Sequence, residues 1–259
     1  MCPMARFCWA ISRPAGLKRS SRGSSPINWD WPPKRRIAPQ NRRQRRAAAG
    51  PVIRVGVPAH QTDETDEARM RIIAGRHRGT KLALPAGAGT RPTADRTRES
   101  LFNILAGGRF GEVIADAVVI DAFAGTGALG LEALSRGARF ASFIESDQQA
   151  LAALRQNITR LKRAADSRVL AADALRIARW QGDAATLVMT DAPYGSGDGL
   201  AAIRQLRAIG ALADAALIVI ETGSNETLDA EMLADAGLQL LAARRYGRAL
   251  LHFLIYGSA

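Results

Sequence analysis

From Met70 onward the apolar residues alternate between two rhythms. Short continuous apolar runs at 117–121, 140–145, 168–171, 185–190 and 216–221 read as buried strands. Between them, apolar positions recur every three or four residues, which predicts helices over 131–136, 148–161, 200–209 and 228–236. Leu151, Leu154, Ile158 and Leu161 are the clearest such stripe. A further helix is expected over 94–105, with Leu101, Ile104 and Leu105 on one side and Thr93 as its N-cap. The last two runs, 238–246 and 249–256, can pair as a hairpin around Gly247-Arg248. At the other end, 70–74 and 81–84 flank a turn with Gly75 and Gly79 and predict a second, shorter hairpin. Strands alternating with helices indicate one α/β sheet covered on both faces.

Residues 1–69 have neither rhythm. Pro, Ser, Arg and Gly crowd 13–51, and 34–46 holds seven basic side chains and no acidic one. Such a segment repels itself and buries little, so a disordered leader is expected over 1–69, ahead of one domain over 70–259. The leader reads as a flexible extension, a nucleic-acid-binding tail or, the favoured reading, the product of a start assigned too far upstream of Met70. It carries +9 of the chain's net charge of +12. A partner inferred from overall charge would therefore rest on the leader. Within the domain, positive charge is local: residues 71–109 hold eight basic and two acidic side chains. Phosphate attraction is set by a patch, so Arg71, Arg76, Arg78, Lys81, Arg91, Arg96 and Arg98 are the candidate RNA contacts.

Both cysteines, Cys2 and Cys8, lie in the leader. That excludes a disulfide or a cysteine-based zinc site in the domain, and no metal is expected. No apolar run reaches the ~18 residues of a membrane span. A cytoplasmic enzyme with no membrane partner is expected.

The chemistry gathers at the strand ends. Asp121, Glu145, Asp173 and Asp191 each fall at or just past one, where ligands of such sheets bind. Phe123-Ala-Gly-Thr-Gly-Ala-Leu-Gly130 follows the first strand, and Gly125, Gly127 and Gly130 have the spacing of a nucleotide-binding turn. Asp121 beside that loop disfavours pyrophosphate, while Glu145 can accept hydrogen bonds from a ribose diol. That diol occurs in NAD and in S-adenosylmethionine (SAM) alike. Asp173 can accept from an adenine amine, or simply cap a short helix that follows.

Asp191-Ala-Pro-Tyr194 decides between the two cofactors. Asp191 can accept from an exocyclic amine, Pro193 stiffens the turn, and Tyr194 can stack on a flat base. An exocyclic amine is a poor nucleophile, so holding it beside a methyl donor is a positioning task. Guanine N2, adenine N6 of DNA or RNA, and a glutamine side chain all suit such a loop. A NAD-dependent oxidoreductase would need a hydride-transfer site, which no residue set supplies. A non-catalytic RNA-binding assembly factor would not need Asp191, Pro193 and Tyr194.

Three segments carry a closer resemblance. They are Met70-Arg-Ile-Ile-Ala-Gly-Arg-His-Arg-Gly-Thr-Lys-Leu, Arg91-Pro-Thr-Ala-Asp-Arg-Thr-Arg-Glu-Ser-Leu-Phe-Asn103 and Asp121-Ala-Phe-Ala-Gly-Thr-Gly-Ala-Leu-Gly-Leu-Glu-Ala-Leu-Ser-Arg-Gly137. Residues 70–259 resemble the RsmD family of bacterial rRNA methyltransferases, which modify the N2 amine of guanine 966 in 16S rRNA. The resemblance implies a seven-stranded, Rossmann-like, SAM-dependent methyltransferase fold. Its sheet would be mixed, with a C-terminal antiparallel hairpin. A small hairpin and helix over 70–109 would hold RNA ahead of a catalytic core over 116–259. It implies SAM contacts at Asp121, Phe123, Gly125, Gly127, Glu145 and Asp173, and catalysis at Asp191, Ala192, Pro193 and Tyr194. It further implies a monomeric enzyme acting on 16S rRNA within the small ribosomal subunit or its assembly intermediate. One position departs from the family pattern Asp-Pro-Pro-Tyr: Ala192 replaces the first proline. The residue before Pro193 is still pushed toward extended geometry, so the loop shape is expected to survive with less rigidity.

Overall fold

The computed structural model describes residues 70–85 and 92–257. The leader 1–69 and Arg91 lie outside the described residues. Among the described residues thirteen elements follow one another. Helix α1 (Pro92–Ala106) precedes β1 (Val118–Ala122), α2 (Ala128–Ser135), β2 (Phe140–Glu145) and α3 (Gln148–Arg160). A short 3-10 turn (Ala164–Asp166) leads into β3 (Ser167–Ala171) and β4 (Ala185–Asp191). Then come α4 (Asp198–Ala208), β5 (Leu212–Gly223), α5 (Ala230–Asp235), β6 (Leu238–Tyr246) and β7 (Ala249–Tyr256). The seven strands form one sheet in the order β3-β2-β1-β4-β5-β7-β6. Neighbours among β1 to β5 are parallel, and β7 runs antiparallel to both β5 and β6. This is the mixed seven-stranded α/β sheet expected from the sequence.

Alternation along the central strands sends side chains to two separate cores. On one face Val119, Leu187, Val219 and Phe253 pack with Leu101, Phe102, Leu105, Leu131, Leu134, Leu151 and Leu154 of the first three helices. On the other, Ile120, Val188, Ile218 and Leu254 pack with Leu200, Ile203, Leu206 and Leu233 of α4 and α5. The central strands are buried on both faces, as parallel strands under helices must be.

Several boundaries shift. Helix α1 begins at Pro92, so Thr93 falls inside it instead of capping it. Proline suits the first helical position because its missing N–H would have no helical partner there. Helix α4 starts at Asp198, ahead of the expected Leu200, and β5 starts at Leu212.

The N-terminal hairpin is a larger correction. Its two expected strands shrink to one bridge, Arg71↔Lys81, with backbone bonds from Ile72 N–H to Thr80 O, Gly79 N–H to Ile72 O and Leu82 N–H to Met70 O. The N–H groups of Ile73 and Ala74 donate instead to the Glu132 carboxylate of α2, at 2.7 and 3.0 Å. Ala83 donates to Asn157 Oδ1 of α3 at 2.7 Å, and Asn157 Nδ2 donates back to Ala83 O at 3.1 Å. Backbone groups that would extend a ladder are thus taken by buried side chains from remote helices.

Candidate active site

Strand β1 delivers Asp121 to the carboxyl edge of the sheet, where the chain turns sharply. Phe123 has φ 61°, Gly125 φ 55° and Gly127 φ 81°. Phe123 is therefore held left-handed without glycine's freedom, which costs on the order of 1 kcal/mol. A side chain at Gly127 would meet Leu154 Cδ1 at 2.4 Å, so packing as well as φ demands glycine there. Two carboxylates hold the turn. Asp121 Oδ2 accepts from Gly130 N–H at 2.8 Å, and Glu145 Oε2 accepts from Gly125 N–H at 2.7 Å. Glu145 Oε1 also accepts from the N–H groups of Ser146 and Asp147. A carboxylate offers roughly four lone-pair sites, so Glu145 keeps capacity for one more donor. Asp173 Oδ1 accepts from Leu175 N–H at 2.9 Å, and its Oδ2 lies 3.4 Å from Arg176 Nε. No helix follows Asp173 among the described residues: the bond from Leu175 N–H closes a turn in place of the expected helix cap, and the side chain is still exposed to solvent.

Asp191 ends β4, and its register partner on β5 is Glu221. Tyr194 Oη donates to Glu221 Oε1 at 2.5 Å. Tyr194 remains 48% exposed at the mouth of the site. Glu221 joins the site beyond the residues expected from the sequence. Its only sequence signal is an acid at the end of an apolar run, the same signal that marked Asp121 and Asp191. Ala192 is buried, and the left-handed turn residues after the loop are Gly195 and Gly197, so Asp191 through Tyr194 need no left-handed backbone. A cavity of about 320 Å³ opens beside the loop, lined by Ala192, Pro193, Asp198, Glu221, Leu228 and Met232 among others.

Crowding of acids in a partly dry cleft sets the electrostatics. Burial pushes Asp121 up to about 8, helped by the charges of Asp191 and Glu145 and opposed by its bond from Gly130. Glu221 is raised to about 7 by burial and by Asp191, against the Tyr194 hydrogen bond. Asp191 reaches solvent at the strand end, yet the cleft walls strip enough water to hold its carboxyl above the usual range. Such a set disfavours a phosphate and favours a cation or an amine donor.

The expected RNA contacts divide. Arg71, Arg76, Arg78, Lys81 and Arg96 are exposed. Arg98 is not: it is 5% exposed, pairs with Asp95 at 3.1 Å and donates to Arg71 O at 2.7 Å. Its charge holds α1 to the N-terminal segment, which corrects the expectation of a phosphate contact there. Arg76 and Arg78 sit in the hairpin turn, and that turn is fixed to the end of α2 by Arg76 N–H to Ser135 O at 2.7 Å. They lie about 12 Å, the length of this eight-residue helix, from the glycine loop.

A parallel sheet reversed at β7, a glycine turn after β1 and an acidic strand-end cluster define the fold of SAM-type methyltransferases. A ribosomal protein L11 methylase from Lactobacillus delbrueckii subsp. bulgaricus shares the fold with a TM-score of 0.53 at 16% identity, over 67% of this chain and 82% of that one. Within that class, the chain belongs to the family described as Conserved hypothetical protein 95, the RsmD family, whose pattern matches residues 70–255. Ribosomal RNA small subunit methyltransferase D of Escherichia coli (strain K12) is 44% identical over 154 residues, 60% of this chain and 75% of that protein. The solved structure of yhhF from Escherichia coli superposes with a TM-score of 0.63 at 37% identity, over 74% of this chain and 99% of that one. No helix among the described residues is long and apolar enough to cross a membrane.

Proposed function

We propose that this protein transfers a methyl group from SAM to the exocyclic N2 amine of a guanine in 16S rRNA, at position 966 by family resemblance. The observation that carries the reading is the Asp191–Glu221–Tyr194 cluster beside the turn that Asp121 and Glu145 hold. The relative named for small-subunit rRNA methylation supports the substrate.

When bound, SAM supplies an electrophilic methyl on a positively charged sulfur. The donor set present here fits it. The backbone at Phe123, Gly125 and Gly127 borders its site, Glu145 has an acceptor to spare for the ribose, and Asp173 faces solvent for the adenine amine. The acids Asp121, Asp191 and Glu221 favour positive charge at the strand ends. Tyr194 offers its exposed ring to the base, and Asp191 accepts from the amine to aim its lone pair. The raised pKa of Asp191 makes it a better acceptor for the proton that the alkylated nitrogen must lose.

In this reading the exposed Arg71, Arg76, Arg78, Lys81 and Arg96 meet phosphates, with Arg91 as a further candidate. The substrate is the small subunit or its assembly intermediate, and the enzyme acts as a cytoplasmic monomer. Incubating the full chain with labelled SAM and small subunits from a strain lacking the modification tests this. Label on one 16S guanine N2 is expected. Transfer to DNA or protein instead would overturn it, and label on an adenine would move the reading to N6 chemistry.

A further inference from the structure

We infer that the tip of the β6–β7 hairpin is a second RNA-contact surface, with Arg244, Arg245 and Arg248 binding phosphates that flank the target nucleotide. This rests on the rRNA reading above and adds a surface that the charge-rich segment 71–109 does not contain.

Strand register places the tip. Gly223, the last residue of β5, pairs with Ala249, the first of β7, and Ala249 pairs in turn with Tyr246 of β6. The turn Gly247-Arg248 therefore projects from the carboxyl edge of the sheet, the edge that bears Asp191 and Glu221. Ser224 N–H donates to Arg248 O at 2.8 Å, which ties the tip to the segment leaving β5. The tip is also next to the base platform. A side-chain carbon placed on Gly223 would lie 3.5 Å from Tyr194 Cβ. Adjacent strands are about 4.8 Å apart, so β6 lies about 10 Å from β5.

The charge there is uncompensated. Arg244, Arg245 and Arg248 are exposed, and among the described residues none has a carboxylate within ion-pair distance. Arg244 Nη1 donates to Ala243 O at 2.8 Å and Arg245 Nε to Gly247 O at 3.3 Å. Those bonds orient the guanidiniums and leave most of their five donors each for another partner. Side chains alternate along a strand, so Arg244 lies on the face of Tyr246 and α1, and Arg245 on the face of α4 and α5. The pair straddles the edge of the sheet.

A base that stacks on Tyr194 brings its own sugar-phosphate with it. That backbone must cross the rim, whose floor is acidic and repels phosphate. The arginine tip is positive charge that register and contact place beside the rim. Arg76 and Arg78, by contrast, sit a helix length away. The two surfaces can hold RNA on opposite flanks of the acids.

The test compares the full chain with its R244Q/R245Q/R248Q variant in binding to unmodified 16S rRNA across a salt series. An R207Q variant is the control, because Arg207 lies in the last turn of α4, toward the opposite edge of the sheet. If three phosphate contacts are lost, the slope of log affinity against log salt should flatten by about two to three. Affinity for the RNA should fall at least about tenfold near 0.1 M salt. SAM affinity, which a folding defect would move, should stay within about twofold of the parent, while R207Q leaves the slope within about 0.3 of the parent's. A parental slope in the triple variant, or an equal flattening in R207Q, overturns the inference. If the parent itself transfers no methyl to 16S rRNA, the functional reading fails instead, a result read without any variant. Should the triple variant lose SAM binding, R248Q alone, at the turn, is expected to flatten the slope by about one, and an unchanged slope there is decisive against the proposal.

Discussion

Eight register pairs close the C-terminal hairpin along its length, from Leu238↔Tyr256 to Tyr246↔Ala249, whereas the N-terminal hairpin has one bridge, Arg71↔Lys81, and short backbone bonding around it from Ile72, Gly79 and Leu82 N–H. The first is part of the sheet. The second is clipped to the outside of α2 and α3 by Glu132, Ser135 and Asn157. Both present arginines, but only the C-terminal tip is fixed by register to the catalytic edge. A charged appendage is placed by whatever satisfies its backbone: a full ladder in one case, and a short turn completed by buried side chains in the other.

The clip should break most completely at Glu132. This carboxylate is fully buried and accepts from Ile73 N–H, Ala74 N–H and Arg136 Nε. Glu132→Ala strands all three donors, and removing one partner of a buried ion pair costs about 3–5 kcal/mol. Denaturant unfolding should show that loss, and limited proteolysis should cut 70–85 early while the β6–β7 hairpin stays protected. Equal protection of both hairpins would show that the clip is not what holds the N-terminal one.

Asn157 is the smaller version of the same device. It bonds Ala83 twice, through N–H to Oδ1 and Nδ2 to carbonyl, and it also donates to Thr126 O at 3.0 Å. Asn157→Ala should cost about 2–3 kcal/mol, since buried groups lose partners on both sides. It links the N-terminal segment to the glycine turn, so SAM affinity should weaken along with stability. Loss of stability at unchanged SAM affinity would uncouple the clip from the site.

These anchors explain what the sequence could and could not show. Strand β2, β6 and β7 fall on their expected ranges because apolar runs bounded by turns are local signals. The strand-end acids were legible for the same reason. A ladder replaced by Glu132 and Asn157 was not legible, because the partners lie 58 to 74 residues away in the chain. Arg98 looked like surface charge and is buried, since the carbonyl it holds belongs to Arg71. Glu221 needed the β4–β5 register to be seen beside Asp191. The arginine tip needed the antiparallel return of β7 to be placed at the catalytic edge.

Titration separates the acidic rim from the clip. Asp121 is raised to about 8 in the folded protein, above its unfolded value. The folded state thus binds more protons between those values, and stability is present at low pH and lost as pH rises through about 8. Asp121→Asn keeps an oxygen acceptor for Gly130 N–H and removes the ionisation. The stability of this variant relative to the parent should rise with pH above about 4, by at most about 1.4 kcal/mol per unit. Paired unfolding curves across pH measure it, and a difference that stays flat from acid to alkaline pH would refute the assignment to Asp121. Protection of 70–85 against protease should not follow this titration, because the groups that clip it, Arg98, Glu132, Ser135 and Asn157, do not include Asp121.

The gentlest probe acts on the tip alone. Gly247 has φ 59° at the first position of a two-residue turn between Tyr246 and Ala249, while Arg248 is not left-handed. That pattern is the II′ turn, which wants glycine first because its twist matches that of the flanking strands. Gly247→Ala should cost about 1–2 kcal/mol, the usual penalty for a left-handed residue with a Cβ. The register above the turn is held by eight pairs between β6 and β7, so the strain should stay local. Amide exchange should quicken at Arg245 through Arg248 and remain unchanged at Ile72 and Leu82, whose N–H groups bond across the other hairpin. A tip loosened in this way presents its arginines less well, so RNA affinity should fall a few-fold while SAM affinity holds. Faster exchange at both hairpins together would mean that they are coupled through the sheet, and the contrast between ladder and clip would fail.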